Sequence, residues 1–180
     1  MTARPEFAPL RRLVVLRHAK SAWPDGVADH ERPLAARGRR DAPAAGRLLC
    51  GTDCLPDLVL CSTAVRARET CELAVAEWGS PPSVRHEPRL YAADAAALLD
   101  VVRQIPYEIE TLLVIGHNPG LADLVLTLAG EGLGDALDRL GTKFPTCAVA
   151  VLAWHGHTWR DLEAGAAVLT DLAVPRGRRP

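Results

Sequence analysis

Residues 13–21 read LVVLRHAKS. Four apolar residues, Leu13 to Leu16, stop abruptly at Arg17 and His18. A short, continuous run of Val and Leu predicts a strand covered on both faces, as in a parallel sheet with helices above and below it. The stretch raises a question of its own: why should a buried strand deliver an arginine and a histidine side by side at its end?

Similar runs recur at 57–61 (DLVLC), 111–115 (TLLVI) and 147–152 (CAVAVL), each bounded by turn residues. Helical character lies between them. Gly38 and Pro43 predict a turn and then a helix from about Arg39. A second helix is expected over Thr63–Trp78, with Val65, Leu73, Val75 and Ala76 on its apolar face. A third runs from a capping Asp94 to Ile105, and a fourth from Asn118 to Ala129, with Asn118 as cap and Pro119 at the first helical position. The alternation predicts an α/β fold, a three-layer α/β/α sandwich with a mainly parallel sheet.

The glycine-rich piece at 130–141 (GEGLGDALDRLG) reads as a mobile surface loop, Trp159–Leu162 as a short late strand or turn, and Arg176 to Arg179 as a frayed, solvated end. With no repeat, linker or boundary visible, the 180 residues are expected to form a single domain over 1–180, its core spanning about 12–175.

Composition narrows the partners. With 21 basic and 22 acidic side chains the net charge is −1, which gives no electrostatic case for nucleic acid. No apolar run reaches the length of about 18 residues that a spanning helix needs, so no membrane role is expected. The first residues, MTARPEFAPLRR, lack the apolar segment of a signal peptide, and the expected compartment is the cytoplasm. Five cysteines without a C-x-x-C pair are expected to be reduced and mostly buried.

Ligands of open α/β sheets bind outside the carboxyl ends of the strands. Three strand ends here carry chemistry: Arg17-His18; Ser62 to Arg66; and Gly116-His117-Asn118-Pro119-Gly120. If those strands are neighbours, two histidines and two arginines converge. Guanidinium forks match the oxygens of a phosphoryl group, and a neutral imidazole can attack phosphorus and carry it covalently. A second imidazole, if protonated, stabilises charge on a non-bridging oxygen. His18 and His117 are the candidate catalytic residues, Arg17 and Arg66 the candidate phosphoryl ligands, and Ser21 and Asn118 further candidates in contact with substrate. Singly each is ordinary: Arg66 can pair along its helix with Glu69 or Thr70.

Three alternatives compete. Cys61 followed by Arg66 resembles a cysteine phosphatase loop, but the spacing is Cys-x4-Arg without a glycine. A metallohydrolase would draw on His18, His117 and His30 or Asp123, while the only closely spaced pair, His155 and His157, lies near a late turn. A non-catalytic phosphoryl-binding module would keep the two arginines and need no nucleophile.

These residues also resemble the signature of the histidine phosphatase superfamily, the phosphoglycerate mutase-like group. Arg17-His18-Ala19 stands for R-H-G, Ser62 to Thr70 for S-x-x-x-R-A-x-x-T, and Gly116-His117 for the late histidine. Further strings are similar to the SixA-type phosphohistidine phosphatases: R-H-A-K-S, R-P-L-x-x-R-G at Arg32–Gly38, R-R-D-A-P at Arg39–Pro43, G-H-N-P-G at 116–120 and K-F-P-T at 143–146. The resemblance implies His18 as the phosphorylated nucleophile, Arg17, Arg66 and His117 as the phosphoryl pocket, and no metal or other cofactor. The implied substrate is a phosphorylated protein bearing phosphohistidine; a small phosphorylated molecule is the alternative.

Two departures stand out. Ala19 replaces the usual glycine. Where many members place a glutamate general acid this chain has Arg89-Leu90-Tyr91-Ala92, leaving Asp25, Asp29, His30 or Glu31 as the nearest proton donors in sequence. An alkoxide needs a proton to leave, a contribution of about 10²- to 10⁴-fold, whereas a protonated imidazole does not. The missing acid therefore favours phosphohistidine or another activated phosphoryl donor over a simple alkyl phosphate.

Overall fold

All four apolar runs become strands, and side-chain alternation explains why they are apolar throughout. In the computed structural model, which describes residues 8–178, the chain runs β1 (Leu10–Arg17), α1 (Ala36–Gly51), β2 (Leu58–Cys61), α2 (Val65–Val75), β3 (Ser83–His86), α3 (Ala95–Val102), β4 (Thr111–Gly116), α4 (Gly120–Leu128), β5 (Ala129–Gly132), α5 (Ala136–Thr142), β6 (Val149–His155) and β7 (Ala167–Ala173). Short 3-10 turns lie at Asp29–Glu31, Pro88–Leu90 and Trp159–Asp161. The sheet order is β3-β2-β4-β1-β6-β7-β5. β6 alone runs antiparallel to its neighbours.

Successive side chains of a strand point to opposite faces. Leu13 and Val15 of β1, with Leu112 and Val114 of β4, pack against α3, α4 and α5. Val14, Leu16, Leu113 and Ile115 pack against α1 and α2. Both faces are covered, giving three layers, and the expected four strands occupy the centre. The strands that sequence did not predict are β3, β5 and β7. β3 is exposed throughout and β5 is half glycine, so neither carries the apolar run that marks a central strand.

Several local expectations are corrected. α1 begins at Ala36, not Arg39, and contains both Gly38 and Pro43. Burial of Ala42, Ala45 and Leu49 against the sheet offsets the backbone bond lost at proline. The buried face of α2 is Ala67, Cys71 and Ala74, with Val65, Leu73 and Val75 only half buried. Small residues win there because α1 and α2 pack backbone to backbone: a Cβ on Gly46 would lie 2.2 Å from the Ala74 carbonyl oxygen.

The piece at 130–141 is not a loop but β5 and α5, since Ala136 and Leu140 find places in the core. α4 is not capped by Asn118: Pro119 is its N-cap and the Asn118 side chain turns to the Phe144 carbonyl. The C-terminal tail is docked as far as Arg178 is described. Asp41, buried in α1, accepts from the Gly177 amide at 3.0 Å and from Arg176 at 3.3 Å. Arg179 lies outside the described residues. All five cysteines are free and only Cys50 is exposed. Among the described residues no helix is long and apolar enough to cross a membrane.

Gly38 shows how the fold reaches the strand ends. A Cβ there would stand 2.2 Å from the Lys20 carbonyl oxygen, in the loop just after His18. Gly38→Ala is expected to cost about 1–3 kcal/mol in denaturant unfolding by forcing that loop away. Gly51→Ala, with nothing within 4 Å of the new Cβ, should be neutral or gain up to about 1 kcal/mol.

Candidate active site

Strand register brings the three chemical ends to one level. Arg17 of β1 pairs with Gly116 of β4, and Cys61 of β2 with Ile115. The next residues, His18, His117 and Ser62, therefore leave the sheet side by side. Backbone bonds extend the pairing past the strand ends, from the His18 amide to Gly116 (3.0 Å) and from the Ser62 amide to Ile115 (2.9 Å). The His18 and His117 rings lie 5.1 Å apart between centroids.

His18 is buried, with 7% of its surface exposed. Its Nδ1 lies 2.8 Å from the Ala19 carbonyl oxygen. A carbonyl only accepts, so Nδ1 carries the proton and Nε2 keeps its lone pair. The loop behind it is fixed from three sides. The Ala19 amide donates to Thr70 Oγ1 (3.0 Å), whose hydroxyl donates to the Arg66 carbonyl (2.6 Å). The Cys147 amide bonds the carbonyls of both Arg17 and His18, and the Ala35 amide bonds that of Lys20. The Ala19 methyl is fully buried in the α1–α2 core, which explains how this loop accepts a Cβ where glycine is usual.

Donors flank the ring. Arg17 Nη1 donates to the Phe144 carbonyl (2.9 Å) while its Nε has no partner. His117 Nε2 lies 2.8 Å from Ser62 Oγ and its Nδ1 has no partner. Ser62 Oγ also accepts from the Ala64 amide at 3.4 Å, and its hydroxyl, which both donates and accepts, serves either tautomer of the ring. A buried polar group left unpaired costs about 1–3 kcal/mol, so the unpaired Arg17 Nε and His117 Nδ1, with the unpaired Asn118 Oδ1, mark a place for a polar ligand.

Arg66 is not a free cation in this state. Its Nη1 donates to the Asp29 carbonyl (2.5 Å) and its Nη2 to Asp29 Oδ2 (3.0 Å). The same carboxylate accepts from the Tyr91 hydroxyl (2.7 Å) and, through Oδ1, from Arg32 (2.7 Å). The Tyr91 ring stands edge-on to His117 at 5.5 Å and to His30 at 4.8 Å. The sequence placed Tyr91 only within the stretch that lacks the usual acid, named Thr70 only as a neighbour of Arg66 along the helix, and gave no role to Ser62 or Arg32.

The two weaker candidates sit differently. Ser21 Oγ accepts from Arg32 Nη2 (2.5 Å), and Arg32 also bonds the Ala22 carbonyl and stacks over Trp23, so Ser21 is tied into the loop of residues 21–32. Asn118 shares the Phe144 carbonyl with Arg17. Of the four residues considered as proton donors, Asp29 and His30 reach the site. Glu31 pairs with His30 Nδ1, and Asp25 is exposed in the loop.

Electrostatics separates the roles. Burial, then the neighbouring His117, Arg66 and Arg17, lowers the His18 pKa to about 3 against the one favourable backbone bond; burial, then Arg66, lowers His117 to about 4. Both rings are neutral at neutral pH. The Tyr91 hydroxyl, then Arg32 and Arg66, holds Asp29 well below the usual carboxylate range, so it is ionised and has no proton to give. The Cys61 thiol is pushed far up by its contact with Cys71 and by burial, the opposite of a thiolate nucleophile. Among the described residues no three His, Cys, Asp or Glu side chains group as a metal site.

Buried neutral histidines make stability depend on pH. In the unfolded chain each protonates near pH 6.5 and in the folded one only near 3 or 4, so the unfolded state binds more protons in between. Stability is therefore expected to fall as pH drops from about 6.5 toward 4, by up to about 1.4 kcal/mol per pH unit for His18 and by less for half-buried His117. Thermal melts of the wild type and of His18→Gln over that window check this; the variant should lose less.

The family model for the histidine phosphatase superfamily (branch 1) matches residues 13–98. An uncharacterised Mycobacterium tuberculosis protein is 44% identical over 163 residues, covering 89% of this chain and 100% of that protein. The structure of a Nakamurella multipartitia protein assigned as the phosphohistidine phosphatase SixA superposes with a TM-score of 0.83 at 34% identity, over 94% of this chain and 99% of that one. An Agrobacterium tumefaciens protein with the same assignment gives 0.78 at 28% identity, over 92% and 98%. A resemblance that covers almost the whole of both chains, together with a model that takes in Arg17, His18 and Arg66, places this protein in branch 1 of the histidine phosphatase superfamily.

Proposed function

We propose that this phosphatase is a metal-independent protein phosphohistidine phosphatase that works through a phosphorylated His18. The observation that carries the proposal is the state of His18: buried, neutral, with Nδ1–H committed to the Ala19 carbonyl, so that Nε2 keeps its lone pair, and with Arg17, Arg66 and His117 around it. In the first step the Nε2 lone pair forms a bond to phosphorus as the bond to the leaving group breaks. Arg17, Arg66 and the N–H of His117 hold the phosphoryl oxygens, and Arg66 exchanges its contact with Asp29 for the ligand. In the second step water attacks phosphorus, His18 is released neutral and inorganic phosphate departs.

The leaving group is argued from what the site lacks. The stretch Arg89-Leu90-Tyr91-Ala92, where a glutamate acid is usual, holds no carboxylate; Asp29 is held ionised, and His30, the other candidate donor that reaches the site, has Nδ1 on Glu31 and Nε2 on Thr63. Without a free acid an alkoxide leaves phosphorus badly, whereas an imidazole whose second nitrogen is protonated leaves well. The Asp29 and His30 side of the site is open, with 50% of the Asp29 side chain exposed, which suits a phosphorylated side chain on another protein.

A substrate panel tests the reading. The kcat/KM for a histidine-phosphorylated protein is expected to exceed that for glycerol phosphate by at least about 10²-fold, the share a general acid usually supplies, and to be unchanged by EDTA. Fast turnover of alkyl phosphates with none of phosphohistidine would overturn the substrate assignment. Arg66→Ala should lose about 10²- to 10³-fold in kcat/KM, and Cys61→Ser should retain turnover.

A further inference from the structure

Asp29 is an anion set into a site built for anions. Its Oδ2 accepts from Arg66 and Tyr91 and its Oδ1 from Arg32. A carboxylate has about four lone-pair directions, so one remains, and half of the side chain faces solvent. Beside a dianionic phosphoryl group this charge is repulsive. With an alkyl phosphate the leaving group does nothing to offset that repulsion, because the departing oxygen brings no positive charge.

A phosphorylated imidazole differs. With its second nitrogen protonated the ring is a cation that points an N–H away from phosphorus. The open side of the site offers matching features in one place: the ionised carboxylate of Asp29, and the rings of His30 and Tyr91, whose centroids lie 4.8 Å apart and nearly perpendicular. Tyr91 in turn meets His117 edge-on, so a row of rings leads from His18 to the open edge.

We propose that Asp29 is the specificity-determining residue for the leaving group: its carboxylate accepts the N–H of the substrate's protonated imidazole, which Tyr91 and His30 flank. The inference rests on the phosphohistidine reading above and assigns the part of the site that selects it. In the transfer step His18 Nε2 bonds to phosphorus and the substrate P–N bond breaks. The bonding pair stays on the departing nitrogen and cancels the ring's positive charge. The second nitrogen keeps its proton, the imidazole leaves neutral, and no proton is drawn from the protein. Asp29 acts by selecting the protonated substrate, so its contribution appears chiefly in KM.

The test compares Asp29→Asn with the wild type on a histidine-phosphorylated peptide and on p-nitrophenyl phosphate, whose leaving group needs neither a proton nor a counter-charge. The variant is expected to lose at least about tenfold in kcat/KM on the peptide, mostly through KM, and to lose much less on the aryl phosphate. Equal losses on both substrates would mean that Asp29 only braces Arg66, and would overturn the inference while leaving phosphohistidine as substrate. Absence of peptide turnover by the wild type would overturn both. Thermal melts of Asp29→Asn, with Asp29→Ala as a second variant at this half-exposed position, separate misfolding from a change in preference.

Discussion

One hydrogen bond, from Nδ1 of His18 to the carbonyl of Ala19, sets the state of the ring on which the proposed chemistry rests. It fixes the tautomer that leaves Nε2 with a lone pair, and burial keeps the ring neutral so that the lone pair is not protonated away. Much of the surrounding architecture holds that one carbonyl still. Thr70 ties the Ala19 amide to α2, Cys147 ties Arg17 and His18 to the turn before β6, and Gly38 lets α1 back directly onto Lys20. A buried strand delivers an arginine and a histidine at its end because the sheet is the rigid part of the molecule, and the proposed attack on phosphorus needs a nucleophile that does not move.

The central sheet was legible because covered strands must be apolar on both faces, and β1, β2, β4 and β6 announce themselves by continuous runs. β3 and β5 lie at the sheet edges, where less burial is required, and their sequences SVRH and AGEG carry little pattern. Glycine and proline misled the reading of α1 for a physical reason: Gly38 and Gly46 serve close backbone approach rather than chain reversal, and tertiary packing carries the helix through Pro43. In the 130–141 stretch, two core contacts outweigh its glycines.

The arginines and histidines could be named from the sequence because they sit at predictable strand ends and on a short helix start, and the structure brings all four together. The contacts that condition them could not. Arg66 meets Asp29 from 37 residues away, Tyr91 meets Asp29 across 62, and Arg17 meets Phe144 across 127. Such pairings leave no local spacing to read. The sequence also could not reveal that Asp29, one of several acidic residues in its loop, is the one whose proton is removed by its neighbours.

The state of His18 unites these points, and trapping its adduct measures it most directly. Full-length protein mixed with a histidine-phosphorylated protein carrying labelled phosphorus, and quenched in alkali on the millisecond scale, should show an acid-labile, base-stable label on His18 that is absent from His18→Ala. Turnover without any label on His18, or with label on Cys61, would contradict the account.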